Sequence, residues 1–413
     1  MLRAELPPIC LAECLRIAYE RQPAIAAARA SLAAREAAHA GIVNLKPPLQ
    51  MLTAPDLPIR RIQACRGVSA AQADLWQAEY DAAYAVIRMY YTAVYAQQQF
   101  GLADRVYRTI DDARQAVDGV IKSGARNDKI DQDVLRRITV YTYLAENKRT
   151  EAAVGFDRAL GGLREAMGSG LDCGCFRPAD LELPGLSIVP CREQVIDLAL
   201  QRRGELIQAI VAADVTRLEV NAQGKFCFKS LVRTFASSSD IHAKALPTAH
   251  RNGDYKPGAV GIEFPANLAG HKSYRMAQAS AYADRTASVV DKTRGLVTLE
   301  AEDAVQVWRE ATDKVRASRE AANAGDALAL SSKENAKAAM ASIKPDDAVK
   351  DYVLAGQARA ALNEAIFEQI LALANLERIT AGGFCAGFLT PTAPAPAAIL
   401  PDPTPKNGEP KKD

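Results

Sequence analysis

The sequence predicts a mainly α protein made of two tandem repeats, each with a short helix pair, a β-hairpin and two very long antiparallel helices. Three observations carry that prediction. Prolines stand at 7, 8, 23, 47, 48, 55 and 58 and then not until 178; after 184, 190, 247, 257 and 265, only Pro345 precedes the tail. Proline costs a helix interior about 3 kcal/mol, so the two gaps mark long helices. The second observation is an apolar seam at Tyr80, Tyr84, Ile87, Tyr91 and Val94, stepping by four and three as a coiled coil requires. The third is internal likeness. CLRIAYERQPAI, from Cys14 to Ile25, lines up with VIDLALQRRGEL, from Val195 to Leu206, and DQDVL with KDYVL.

The first repeat is assigned to residues 1–168. Its short helices end at a degenerate hairpin, 44–61, where four prolines deny a ladder its donors. A long helix follows, its seam slipping through Gln98 to Leu102, Val106 and Ile110, a run of fours that unwinds a left-handed supercoil. KSGARNDK, residues 122–129, makes the turn, with Gly124 as breaker and Asp128 as N-cap candidate. A return helix carries Ile130, Val134, Ile138, Tyr141 and Leu144. Residues 169–190 are rich in glycine and proline and read as a linker.

The second repeat is assigned to 191–387. Its hairpin, about 225–266, has two imperfect strand patterns, 225–237 and 255–266. In AVGIEFPANLAGHK, Val260, Ile262 and Phe264 alternate as in a strand, which Pro265 is expected to end. Gly270 then loosens the backbone before a helix over 271–342. IKPDDAV, 343–349, makes the turn, and a last helix returns through Val353, Leu362, Ile370 and Leu376 to Ile379. The offset between matched positions grows along the chain, placing insertions in the second hairpin and the second long helix. Residues 388–413 are too proline-rich to fold and are expected to be disordered.

Composition narrows the function. Lys and Arg total 51 against 49 for Asp and Glu, a balance that offers nucleic acid no cationic attraction. Eight cysteines form no CxxC pair and four histidines lie at no ligand spacing; Cys173-Gly-Cys175 reads as small residues in a turn. No nucleophile with its base and no phosphate loop is apparent, so neither an enzyme nor a cofactor is expected. No run of 18 apolar residues could cross a bilayer as a helix, and the first ten residues lack the apolar core of a secretory signal.

Three stretches then resemble a known family: LAECLRIAYERQPAIAAARASLAAREA in the first repeat, and VGIEFPANLAGHKSYRMAQA and DYVLAGQARAALNEAIFEQILALANLERITAG in the second. Their order and spacing resemble the TolC-type outer-membrane efflux proteins over about residues 10–385. The resemblance implies a homotrimer in the outer membrane of a Gram-negative cell, each chain giving two hairpins to a shared β-barrel, with the long helices forming a periplasmic α-barrel. It also implies a periplasmic adaptor and an inner-membrane transporter as partners, and outer-membrane lipid around the barrel. Function would be passive conduction for efflux or secretion, and a truncated or misassigned start is the simpler explanation of the missing secretory signal. An alternative is a divergent paralogue with an incomplete barrel, serving as a periplasmic structural or adaptor-binding coiled coil. A cytosolic coiled-coil scaffold is a third reading, and it leaves the strand-to-helix joint unexplained.

The resemblance places a gate and adaptor-binding tip at the interhelical turns. Gly124 and Asp133 match the family's pattern there; Asp128, Asp131, Asp346 and Asp347 lie nearby, and Tyr352 stands where the family has an acid. Helix N-terminal capping competes with gating for each acid, because the dipole favours negative charge at that end. Pro58 and Pro265, with Gly270, are the expected strand-to-helix joints. Tyr80, Tyr84, Tyr90, Tyr91 and Tyr95 are expected to pack an interface with hydroxyls reaching water, and Arg136, Arg137, Lys148 and Arg149 to be solvated.

Overall fold

A computed structural model describes residues 6–45, 54–124, 130–170, 176–186, 188–235, 263–338 and 344–383. The expected turn residues 125–129, most of the second hairpin, Cys173, Cys175 and the proline-rich tail lie outside them.

Helix α1, Leu11–Arg21, turns sharply at Gln22 (φ −65°, ψ 119°) into α2, Pro23–Val43. Proline suits that start because its missing N–H is one the helix would orphan anyway. Helix α3, Leu57–Lys122, runs 66 residues, about 100 Å, and α4, Gln132–Ala166, returns alongside its far half. The second repeat copies this plan. Helix α5, Arg192–Arg202, turns at Arg203 (φ −65°, ψ 123°) into α6, Gly204–Gln223. Helix α7, Lys272–Ala338, has 67 residues, and α8, Pro345–Ile379, returns over 35, the same length as α4. With long and return helices so nearly equal, the extra residues of the second repeat precede Lys272, and the expected insertion in the second long helix is not found.

Packing is lengthwise. α4, α3, α8 and α7 lie side by side as a wall, held by α3 against α8. At one end Ile110 and Val117 of α3, Val134 and Ile138 of α4 and Val349 of α8 share a cluster. In the middle Val86, Ile87, Tyr90 and Val94 of α3 pack on Cys14 and Leu15 of α1, Leu163 of α4 and Ile370 of α8. α5 and the end of α8 press Val195, Ala199, Leu373 and Leu376 against Val297, Val305 and Trp308 of α7. α6 covers the remaining half of α7 and also touches α3.

The strands are short. β1, Pro8–Ile9, pairs in parallel with β2, Arg177–Pro178, tying the linker to the N-terminus. β3, Leu231–Arg233, pairs antiparallel with β4, Asn267–Ala269. Two sequence expectations, at Pro265 and at the second turn, are corrected here. Most of the strand expected before Pro265 lies outside the described residues, and Pro265 does not lead straight into the helix: β4 follows it, and the chain turns into α7 at Gly270, whose φ of +102° an L side chain rarely adopts. Pro58 lies inside the first turn of α3, where proline is tolerated. Pro345, Asp346 and Asp347 are already helical, so the second turn ends at Lys344.

Candidate functional site

The expected tip is built from the far end of α3 and the starts of α4 and α8. Gly124, at φ +68°, closes α3 and donates its N–H to the Ile121 carbonyl at 3.2 Å. Asp128 lies outside the described residues, and the N-cap of α4 is Asp131: its carboxylate accepts the Val134 N–H at 2.8 Å. That backbone bond holds the Asp131 carboxyl below its ordinary range, helped by the Asp133 N–H and the charges of Arg137 and Lys344. Asp133 is exposed and pairs with Arg136 at 3.0 Å.

Asp346 behaves differently. It is buried, and Arg137 reaches it from α4 at 2.7 Å, joining the two repeats across 209 positions of sequence. Arg137 is exposed, as the sequence suggests, but its guanidinium is engaged rather than free in solvent. Its charge is stabilised first by its hydrogen bond to Asp346. Asp347 stays exposed, pairs with Lys350 at 2.7 Å, and is held below its ordinary range by that contact. Tyr352 is not grouped with these acids. It lines a groove of about 780 Å³ between α3, α7 and α8, with Val106, Ala355 and Arg359, where burial pushes its phenol up.

A second constellation lies midway along the wall, where α8 ends against the start of α6. Arg203 is fully buried and pairs with Glu205 at 2.8 Å and with Glu300 of α7 at 2.9 Å. Arg378, in the last turn of α8, reaches the same Glu300 at 2.6 Å and lies over the Tyr84 ring. Burial opposes the Arg203 charge, and the two carboxylates more than offset it. Asp81 of α3 sits 3.8 Å from Arg378; burial pushes its carboxyl up, against the pull of that guanidinium.

The third constellation stands at the joint end. Arg60 pairs with Asp56 at 2.6 Å and with the buried Glu219 of α6, while Arg61 donates to the carbonyls of Val43 and Leu45 at 3.2 and 2.9 Å. Arg275, in the first turn of α7, is fully buried among backbone carbonyls. A base in the first turn opposes the helix dipole, and neither α3 nor α7 has an acid there. That opposition is the sequence signal that could have marked Arg60, Arg61 and Arg275. Arg137, Arg203 and Arg378 carry no comparable local mark.

The tyrosine expectation is corrected as well. Tyr90 and Tyr91 belong to the chain's own core, Tyr90 donates its hydroxyl to Asp180 of the linker at 2.8 Å, and Tyr95 stacks on Phe367 at 4.8 Å. Arg149 pairs with Asp104 at 2.7 Å above the Tyr107 ring, whereas Lys148 remains solvated beside Glu151. Among the described residues no group of three or more His, Cys, Asp and Glu is placed to hold a metal ion, and no helix is long and apolar enough to cross a membrane.

No family model and no curated protein matches the sequence. Solved structures do match. The outer-membrane channel OprN is 14% identical, with 90% of each chain covered and a TM-score of 0.69. The open state of the MtrE outer-membrane channel of Neisseria gonorrhoeae is 14% identical over 90% of this chain and 89% of that one, at 0.68. The outer-membrane protein VceC of Vibrio cholerae is 12% identical over 91% and 96%, at 0.66. At such identities the likeness is one of fold, and it extends over nearly the whole chain.

Proposed function

We propose that the protein is an outer-membrane channel subunit of an efflux or secretion system, a passive conduit across the periplasm and outer membrane. The observation that carries this reading is the end-to-end match to outer-membrane channels, both repeats included. Its surface supports it. Val140, Tyr143, Leu144 and Val154 are exposed along α4, apolar positions left uncovered among the described residues. Three copies arranged as a closed ring would cover them, so the assembly we propose is a homotrimer. A periplasmic adaptor and an inner-membrane transporter would deliver substrate, and the work done is conduction.

In this reading the tip formed by Gly124, Asp131, Asp133, Asp346 and Asp347 faces the periplasm, and the Arg137–Asp346 pair fastens the two return helices there. The test uses the full chain in detergent and in planar bilayers. A trimeric mass and ohmic pores are expected, with Arg137→Ala raising conductance. A monomer without conductance in any bilayer would overturn the channel, and unchanged conductance in the variant would remove the pair from the gate.

A further inference from the structure

The groove that Tyr352 lines, about 780 Å³ in volume, lies open between α3, α7 and α8. Leu102 and Ile366 give it apolar walls, and Leu181 of the linker stands 60% exposed at its edge. Its polar lining carries one feature that a solvated surface would not. Gln98 holds a side-chain oxygen that is closed to water and accepts no hydrogen bond among the described residues. Leaving a buried acceptor unmet costs about 1–3 kcal/mol, so this oxygen calls for an N–H from outside the described helices. Arg105, exposed in the same groove, adds a positive charge. The groove therefore suits an extended backbone with free N–H groups, an apolar pair and an acid.

One stretch of this chain fits that description and can reach. The linker crosses one face of the wall: Leu181–Leu183 line the groove, Leu186 packs toward both the middle cluster and the α5 cluster, and Ile188 packs with the latter. The chain leaves the last helix on that face, where a Cβ on Gly383 would stand 3.2 Å from Leu198 of α5 and one on Gly382 would stand 2.9 Å from the Tyr80 ring. From Tyr80, Leu102 and Thr109 lie 22 and 29 residues along α3, about 33 and 44 Å away. AAILPD, Ala397–Asp402, begins 14 residues after Gly383, about 43 Å along a polyproline II path that Pro391, Pro394 and Pro396 favour. Too proline-rich to build a core, such a stretch still lies well in a groove, because its extended backbone bonds nothing within itself. Ala397 to Leu400 keep their N–H groups, Ile399 and Leu400 are the apolar pair, and Asp402 is the acid.

We propose that Ala397–Asp402 docks in the groove of its own chain: Ile399 and Leu400 enter between Leu102 and Ile366, a backbone N–H meets Gln98, and Asp402 pairs with Arg105. Tethering favours this occupant over a separate partner, because a linked segment is present at an effective concentration of about millimolar order. The contact goes beyond the channel reading and does not depend on it.

The test places the photo-crosslinker p-benzoylphenylalanine at position 400 of the full chain in detergent, with isotopically light and heavy copies mixed before irradiation. Position 400 follows the last helix by 21 residues, so the helices are spared, and circular dichroism verifies it. Peptide mapping should find adducts within 98–109 and 352–366, each joining residues of one label. Arg105→Glu should lower their yield about twofold to fivefold, as loss of an exposed ion pair does, and adding Asp402→Arg should restore it. Adducts that join light to heavy copies, adducts confined to other segments, the absence of adducts, or a yield indifferent to charge reversal would each overturn the proposal. Conductance of the same samples separates the two readings. A conducting protein without groove adducts sinks only the docked segment; a protein that never conducts but gives them sinks only the channel.

Discussion

Helices α2 and α6 hold the same place in the two repeats, yet they are treated very differently. Each follows an eleven-residue helix through a turn of nearly identical dihedrals, at Gln22 and at Arg203, and each covers the half of a long helix that its return helix leaves bare. In α2 only Ile25 and Ala28 are buried; in α6 eleven residues are. The difference is position. α6 lies between α7 of its own repeat and α3 of the other, whereas α2 packs on α3 and otherwise faces outward. The end-to-end join is made differently too. Gln22 sends a neutral amide to the Ala166 carbonyl at 2.9 Å, capping the end of α4. Arg203 does the equivalent work with a buried network that includes Glu205, Glu300 and Arg378. One backbone plan thus tolerates two chemistries, and the buried copy is the one that uses charge.

The largest expected effect breaks that contrast directly. Arg203→Met leaves Glu205 and Glu300 without their shared partner in the interior, at a cost of about 3–5 kcal/mol. Gln22→Ala removes only neutral bonds, from one amide to the Glu165 and Ala166 carbonyls at a partly exposed helix end, at a cost of about 1 kcal/mol. Denaturant unfolding of the two variants, side by side, measures the difference. Equal losses would mean that the ionic join carries no more than the amide does.

A smaller effect should change sign between the repeats. A Cβ added at Gly204 would stand 2.7 Å from the Ala73 carbonyl oxygen, so Gly204→Ala forces α6 away from α3 and should cost about 1–3 kcal/mol. A Cβ added at Gly41, within α2, meets nothing within 4 Å. Gly41→Ala should therefore stabilise the protein by about 0.5–1 kcal/mol, the ordinary helical preference for alanine. Thermal melts of both variants test this, and two shifts of the same sign would contradict the packing difference.

Much of this was legible in sequence because it is local. Proline spacing reveals the long helices, and the alignment of Pro23 with Gly204 marks the two sharp turns. Contacts between residues far apart along the chain leave no such local mark. Tyr90 finds Asp180, Arg137 finds Asp346 and Arg203 finds Glu300, and no periodicity connects such pairs. Pro265 misled for a related reason. A proline can precede an edge strand as readily as end one, and here its own carbonyl accepts the Thr234 hydroxyl at 2.6 Å, just outside the ladder. At the tip the acids were found, but the sequence could not separate the buried Asp346 from the exposed Asp347 beside it.

The smallest effect sharpens the comparison at the tip, where α4 is capped by the Asp131 side chain and α8 begins at Lys344 with no side-chain cap. The Asp131 carboxyl is held below its ordinary range in the folded chain, so the folded state binds that proton more weakly than the unfolded state does. Its contribution is therefore complete above the ordinary carboxylate range and is lost as pH falls through the folded value. Asp131→Ala should lower the Tm at neutral pH and converge on the parent protein under acid conditions. Lys344→Asp should move the other way, giving α8 the cap it lacks, with a gain that fades over the same acid interval. Melting curves across that interval test both; an Asp131→Ala deficit that persists undiminished in acid would show that its loss acts through something other than the carboxylate cap.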